Sequence, residues 1–395
     1  MSEASVPTGL ILTGGGARAA YQIGVLQEIV NLRRTLGGEA GNPFEVICGT
    51  SSGAINASVL ACGAQTFDAT LSELAQVWQD FHVHQVYRSD VLDMLQSGAR
   101  WVSLLTLGWL IGRKRFRPRS LLDNAPLGEL LRARVDFQKL PQVLKSGHLQ
   151  ALAITASNYD SGEHVTFYQS DRDIQPWVRN QRAAMRCELQ HSHLLASSGI
   201  PFIFPAARLE GPQGPAWFGD GAMRQTAPIS PAIHLGAQKV LVIGAGRMQE
   251  PRKPPISSGS EYPSMARIAG HALSSIFLDA LAVDVERLQR INHTLSLIPE
   301  HSRAQSTLRP VDLLVIAPSQ RLDDIALRHA HRLPGTVQQL LKILGGSAKS
   351  GSSQGGALIS YLLFESLYTQ ELIALGREDA RAKTSEIRTF FGWDR

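Results

Sequence analysis

The sequence predicts an α/β fold in three layers, with helices on both faces of a mostly parallel central sheet and a helical extension at its C-terminal end. Three observations lead there. The segments beginning at Gly9 and at Phe44 each run from a short apolar stretch through a glycine turn into a helical pattern, the unit from which parallel sheets are wound. Residues 240–243 and 313–316 are short, branched and uncharged, as strands buried between helix layers are. Residues 264–295, between them, carry the period of one or two amphipathic helices.

The first unit reads Gly9-Leu-Ile-Leu-Thr-Gly14-Gly15-Gly16-Ala17-Arg18-Ala19. Three consecutive glycines free the backbone to turn its N–H groups toward one point at a helix N-terminus, where negative charge is favoured. In an acyl-transfer enzyme that charge is the oxyanion of a tetrahedral intermediate. In a nucleotide binder it is pyrophosphate, and Gly14-x-Gly16-x-x-Ala19 does satisfy the loose dinucleotide fingerprint, with Glu39 about 20 to 25 residues further on. Against that reading, Glu39 sits in Gly-Gly-Glu-Ala-Gly-Asn-Pro, a loop and not a strand end. A plain tight turn without a ligand is the third possibility.

The second unit is an apolar strand at 46–48, the pentapeptide Gly49-Thr50-Ser51-Ser52-Gly53, and a helix of small residues. This is the pattern of a nucleophile elbow, in which a serine takes a strained conformation between strand and helix. Gly49 and Gly53 remove side chains that would collide where the two elements meet. Ser51 is therefore the candidate nucleophile. A third element, Trp217-Phe218-Gly219-Asp220-Gly221-Ala222, holds a carboxylate between two glycines. Alone it reads as a turn; beside the other two it supplies a candidate general base.

Together these motifs resemble those of the patatin-like phospholipase family. The Gly14-Gly15-Gly16-Ala17-Arg18 loop, the Gly49-to-Gly53 elbow and the Asp220-Gly221-Ala222 turn occur in the family's order. The stretch Leu195-Ala-Ser-Ser-Gly-Ile-Pro-Phe-Ile-Phe-Pro205 is similar to a family segment that precedes the aspartate. The resemblance covers about residues 8–236, with two departures: Ala19 where a glycine usually closes the oxyanion loop, and Ser52 where alanine is common. It implies a Ser51–Asp220 dyad and an oxyanion hole at Gly14, Gly15, Gly16 and Arg18. No metal or organic cofactor is implied. A carboxylate with an ordinary pKa near 4 is a weak base toward a hydroxyl, so partial desolvation must raise it, and Trp217 and Phe218 are the expected source of that burial.

An α/β-hydrolase triad is the competing chemistry, since His234, His271 and His293 all follow Asp220. An elbow beginning at residue 49 leaves little room for the strands that normally precede it in that fold. Arg18 has two readings, a cation for a phosphate head group or a brace for the loop through carboxylates. Two rivals remain for the whole chain: a non-catalytic lipid-binding or regulatory protein on the same fold, and a dinucleotide-binding enzyme.

At 395 residues, 44% hydrophobic and 18% charged, the chain can bury one large core or two smaller ones. Cys48, Cys62 and Cys187 form neither a paired framework nor a metal-ligand spacing, which fits a reducing cytoplasm. The N-terminal residues lack the basic-then-apolar pattern of a secretion signal. A net charge of +5 favours anionic partners, while no basic stripe with a recognised nucleic-acid module is present. Lys349-Ser350 lacks the Walker spacing.

Residues 101–119 join an apolar run bearing Trp101 and Trp109 to Arg113, Lys114, Arg115, Arg117 and Arg119. The run is too short to cross a bilayer. It suits either a cap over the site or peripheral contact with the inner membrane surface. Residues 251–263 are rich in Pro and Ser, and 345–356 in Gly and Ser, as loops are. The expected organisation is a catalytic domain over 8–236, a sheet continuing to about 318, and helices from 319 to 395. The expected activity is hydrolysis of a lipid acyl ester. The motifs describe the reaction and leave head group, acyl length and oligomeric state open.

Overall fold

Residues 6–88, 120–223, 225–248, 265–303, 305–343 and 356–394 are described by the computed structural model. The two tryptophans and the basic run of 101–119, the loop at 251–263 and residues 345–355 lie outside them.

The strands are β1 (Thr8–Leu12), β2 (Val46–Thr50), β3 (Ala151–Asn158), β4 (His164–Ser170), β5 (Val178–Arg179), β6 (Arg182–Arg186), β7 (Ala207–Gly211), β8 (Gly214–Asp220), β9 (Lys239–Ile243) and β10 (Asp312–Ile316). They form one sheet in the order β10-β9-β1-β2-β3-β4-β6-β5. From β10 to β3 every neighbouring pair is parallel. β4 then runs antiparallel to β3, so the mostly parallel sheet carries an antiparallel flank.

Side-chain alternation along the strands separates the layers. Leu10, Leu12 and Ile47 face one apolar cluster, shared with helices α1 (Ala20–Thr35), α2 (Ser52–Cys62) and α3 (Phe67–Gln79). Ile11, Val46 and Cys48 face the other, shared with the short helix Ser230–His234 and a long one, Met265–Ser296. Because both faces are covered, β1, β2 and β3 are buried from end to end. Their sequences are accordingly runs of apolar and small residues without strict alternation.

The C-terminal helices form a wall of the first layer. Helix Ser366–Ala382 lies against α1 backbone to backbone: a Cβ on Gly24 would fall 2.0 Å from the Ile373 carbonyl oxygen, and one on Gly376 2.3 Å from that of Tyr21. Tyr21 Oη donates to Asp379 at 2.9 Å. Helix Ser366–Ala382 thus packs on α1, while the last helix, Thr384–Phe391, lies against the edge strand β10.

One feature of the sheet positions the site. Along one edge of β3, β2 pairs with Ala151 to Thr155, and β8 pairs antiparallel with the next three residues, Ala156 to Asn158. The C-terminal ends of β2 and β8 therefore meet head to head, with Thr50 opposite Thr155 and Asp220 opposite Ala156.

Candidate active site

Ser51 follows β2 at that meeting point, with φ 54° and ψ −131°, a region non-glycine residues rarely enter. The turn is tight because its flanks have no side chains. A Cβ on Gly49 would come within 2.4 Å of Ala54 Cα, and one on Gly53 within 2.2 Å of the Leu12 carbonyl oxygen. Ser51 Oγ donates to Asp220 Oδ2 at 2.7 Å, and Asp220 Oδ1 accepts from the Ala222 N–H at 2.8 Å. Ser51 is 1% exposed and Asp220 fully buried.

The turn carrying the aspartate is held on three sides. Its Asp220 N–H donates to the Gly199 carbonyl and its Gly221 N–H to that of Ser197. The His164 Nε2–H donates to the Gly221 carbonyl at 2.6 Å. A Cβ on Gly221 would lie 1.9 Å from the Thr155 carbonyl oxygen, which explains the glycine. Burial pushes the Asp220 carboxyl up to about 7, against the opposing pull of the bonds from Ala222 and Ser51. Burial also drives His164 down to about 4, so it is neutral where it supports the turn.

Trp217 does not contribute to that burial: it is 47% exposed, while Phe218 is fully buried against Phe167. Successive residues on β8 point to opposite faces, so Phe218 shares the face of Asp220 and Trp217 takes the other.

Ser197 and His164 carry no motif of their own. Ser197 lies inside the 195–205 stretch, which was the available signal; His164 had none. The Ser197 hydroxyl accepts the Ser51 N–H at 2.8 Å and donates to the Thr155 carbonyl at 2.6 Å, while its own carbonyl holds Gly221. One residue thereby touches the backbone of both halves of the site. Ser197→Ala leaves the Ser51 N–H buried and unpaired, at a cost of about 1–3 kcal/mol, so its melting temperature is expected to fall by a few degrees. A melting curve superimposable on wild type would show that the elbow does not depend on this bond.

The glycine loop follows β1. Gly16 has φ +57°, and a Cβ there would sit 2.3 Å from the Tyr361 carbonyl oxygen. Among the described residues the N–H groups of Gly14, Gly15 and Gly16 meet no acceptor. The Arg18 N–H, by contrast, is bonded to the Gly15 carbonyl at 3.1 Å. Its guanidinium donates to Ser360 Oγ and to Asp323 Oδ1 at 2.5 Å, and lies 4.0 Å over the Tyr361 ring. Both the backbone donor and the side chain of Arg18 are thus engaged with other partners, the arrangement expected of a brace for the loop. Ala19 has φ −65°, an ordinary helical value, so the missing glycine brings no strain. The Ser52 hydroxyl is buried without a hydrogen-bond partner among the described residues.

Gly16, Ser51 and Ser52 stand together at the wall of a groove. Beyond them its lining is mostly apolar, from Ile55 and Val59 on α2, Leu74 and Trp78 on α3, and Phe204, with Glu73, Arg134 and Ser198 as its polar members. A concave, mostly apolar lining with a few polar groups suits an organic ligand.

No imidazole among the described residues bonds to Ser51 or Asp220. His234 stacks on Trp177, His293 is exposed, and the His271 side chain lies outside the described set. Glu39 is exposed in the turn after α1 and ahead of β2. Among the described residues no cluster suited to a metal ion occurs, and no helix is long and apolar enough to cross a membrane.

A family model described as patatin-like phospholipase matches residues 10–233. The crystal structure of VipD from Legionella pneumophila is similar over 94% of this chain and 67% of that one, at 13% identity and a TM-score of 0.35. Full-length ExoU from Pseudomonas aeruginosa, in complex with full-length SpcU from the type III secretion system, is similar over 97% of this chain and 79% of that one, at 12% identity and a TM-score of 0.26. No curated protein matches the chain.

Proposed function

The chain belongs to the patatin-like phospholipase family, and on that premise we propose that it hydrolyses the acyl ester of a phospholipid or lysophospholipid with Ser51 as nucleophile and Asp220 as its base. The observation that carries this reading is the 2.7 Å contact between the two side-chain oxygens at the wall of an apolar groove.

In the proposed reaction the acyl chain lies in the groove and presents its carbonyl to Ser51. Asp220 takes the hydroxyl proton as Oγ attacks. The oxyanion that forms is met by the unengaged N–H groups of Gly14, Gly15 and Gly16, aligned before the charge develops. Collapse of the intermediate expels the alcohol, to which Asp220 returns the proton. Water activated by the same carboxylate then cleaves the acyl-enzyme and frees the fatty acid. This chemistry requires no metal or organic cofactor.

The pH dependence follows from the carboxylate. A base must be ionised to act, and burial holds Asp220 at about 7. Activity is therefore expected to fall as the pH drops through 7, roughly tenfold per unit well below it, and to level off above. Fatty-acid release from phosphatidylglycerol and phosphatidylcholine vesicles, followed from pH 5 to 9, tests both statements. Absence of release from either lipid sinks the assignment as a phospholipase; release independent of pH sinks the role given to Asp220.

A further inference from the structure

Three buried side chains outside the reacting pair join the groove to the glycine loop. Trp78 lines the groove together with Ser51, and its indole Nε1–H donates to Asn56 Oδ1 at 2.9 Å. Asn56 Nδ2 donates in turn to the Ala19 carbonyl at 3.2 Å and to Gln22 Oε1 at 3.0 Å. Gln22 Nε2 donates to the Thr13 carbonyl at 2.8 Å. Thr13 and Ala19 are the residues on either side of the loop 14–18, so one side-chain network holds both its ends. Asn56 and Gln22 are fully buried and Trp78 nearly so.

Hydrogen bonds between side chains are a small minority in proteins, and a buried network whose members are all paired makes its surroundings rigid. Packing alone does not account for this one. The indole ring already stacks on Phe81 at 5.0 Å, and a phenylalanine would line the groove as well. What the tryptophan adds is an N–H, and that N–H reaches Asn56, on the same helix that begins at the elbow.

We propose that Trp78 is a positioning residue through which an acyl chain seated in the groove sets the geometry of the glycine loop. The proposal rests on the acyl-hydrolase reading above. The indole N–H already meets Asn56 in this structure, and Asn56 and Gln22 hold the Ala19 and Thr13 carbonyls; a long chain packed on the indole keeps this arrangement in place through turnover, so the loop donors keep their aim. An acetyl group is too short to lie along the groove and leaves the indole without that support. The wild-type protein accordingly turns over a long-chain ester faster than an acetyl ester once both are bound.

The test compares kcat and KM on p-nitrophenyl decanoate and p-nitrophenyl acetate for wild type, Trp78→Phe and Asn56→Ala. The second variant keeps the indole in the groove wall and removes the relay. Trp78→Phe is expected to lower kcat on the decanoate roughly tenfold, the scale set by one unpaired buried acceptor, with little change in KM. The acetate is expected to lose less than half that factor, so the preference for the long chain shrinks, and Asn56→Ala is expected to shrink it as well. Equal losses on the two esters in both variants, or a change confined to KM, would overturn the proposal and leave Trp78 as wall alone. A wild-type protein inactive on both esters, with fluorophosphonate labelling unchanged in Ser51→Ala, would instead defeat the underlying hydrolase reading, and this inference with it.

Discussion

Ser51→Ala and Asp220→Asn are each expected to abolish covalent labelling by a fluorophosphonate ester and to lower ester hydrolysis by about 10³-fold or more. The two losses have different physical origins. Alanine removes the only oxygen that can form the acyl bond. Asparagine keeps the shape of the carboxylate, beside Ser51 and the Ala222 N–H, but cannot accept a proton.

The second variant also separates loss of activity from loss of fold. The Asp220 pKa is raised from its ordinary value to about 7 by burial, so the folded protein holds that proton more tightly than the unfolded chain. The stability this contributes is present at low pH, declines as the pH rises between the two values, and is gone above about 7. At pH 8 wild type therefore carries a buried carboxylate that asparagine replaces with a neutral group. Asp220→Asn is expected to melt higher than wild type at pH 8, by about 2 °C or more, and to lose this advantage at pH 5. An inactive variant more stable than its parent places the aspartate in the chemistry. Labelling of Asp220→Asn at the wild-type rate would remove it from there.

Gly16→Ala carries the second large effect. The position combines φ +57° with a carbonyl oxygen 2.3 Å from where a Cβ would stand. The left-handed conformation alone costs a non-glycine residue about 1–2 kcal/mol, and the clash with Tyr361 requires the loop or the C-terminal wall to move. Since one misplaced oxyanion donor costs roughly 10²–10³ in kcat, turnover is expected to fall at least a hundredfold. Gly37→Ala supplies the control: its φ is +75°, but nothing lies within 4 Å of the added methyl. That variant is expected to melt slightly lower and to keep full activity. Similar kinetics in the two variants would show that the loop at Gly16 is not a catalytic element.

What could be read from the letters was whatever a local rule demands. Strands β1, β2 and β9 appear as apolar runs because both their faces are buried. The elbow is legible because a strained serine between strand and helix requires glycine at 49 and 53, and the glycine loop because only that residue adopts the backbone found at 16. Trp217 marks the limit of such reading. Adjacency in sequence suggested a wall for Asp220, but alternation along β8 sends it to the opposite face.

The sequence by itself determined the units of the fold, the order of the motifs and the residue types that a serine hydrolase needs, since each depends on conformational demands within a few residues. Only the tertiary structure decided that β2 and β8 end against each other on one edge of β3, which brings together side chains 169 positions apart. It alone engaged Arg18 with an aspartate 305 residues away and laid helix Ser366–Ala382 on α1. It also placed Ser197, His164 and Asn56 where they hold the site. These are contacts between distant segments, chosen by how buried surfaces and their polar groups can all be satisfied at once, and no spacing or period along the chain encodes them.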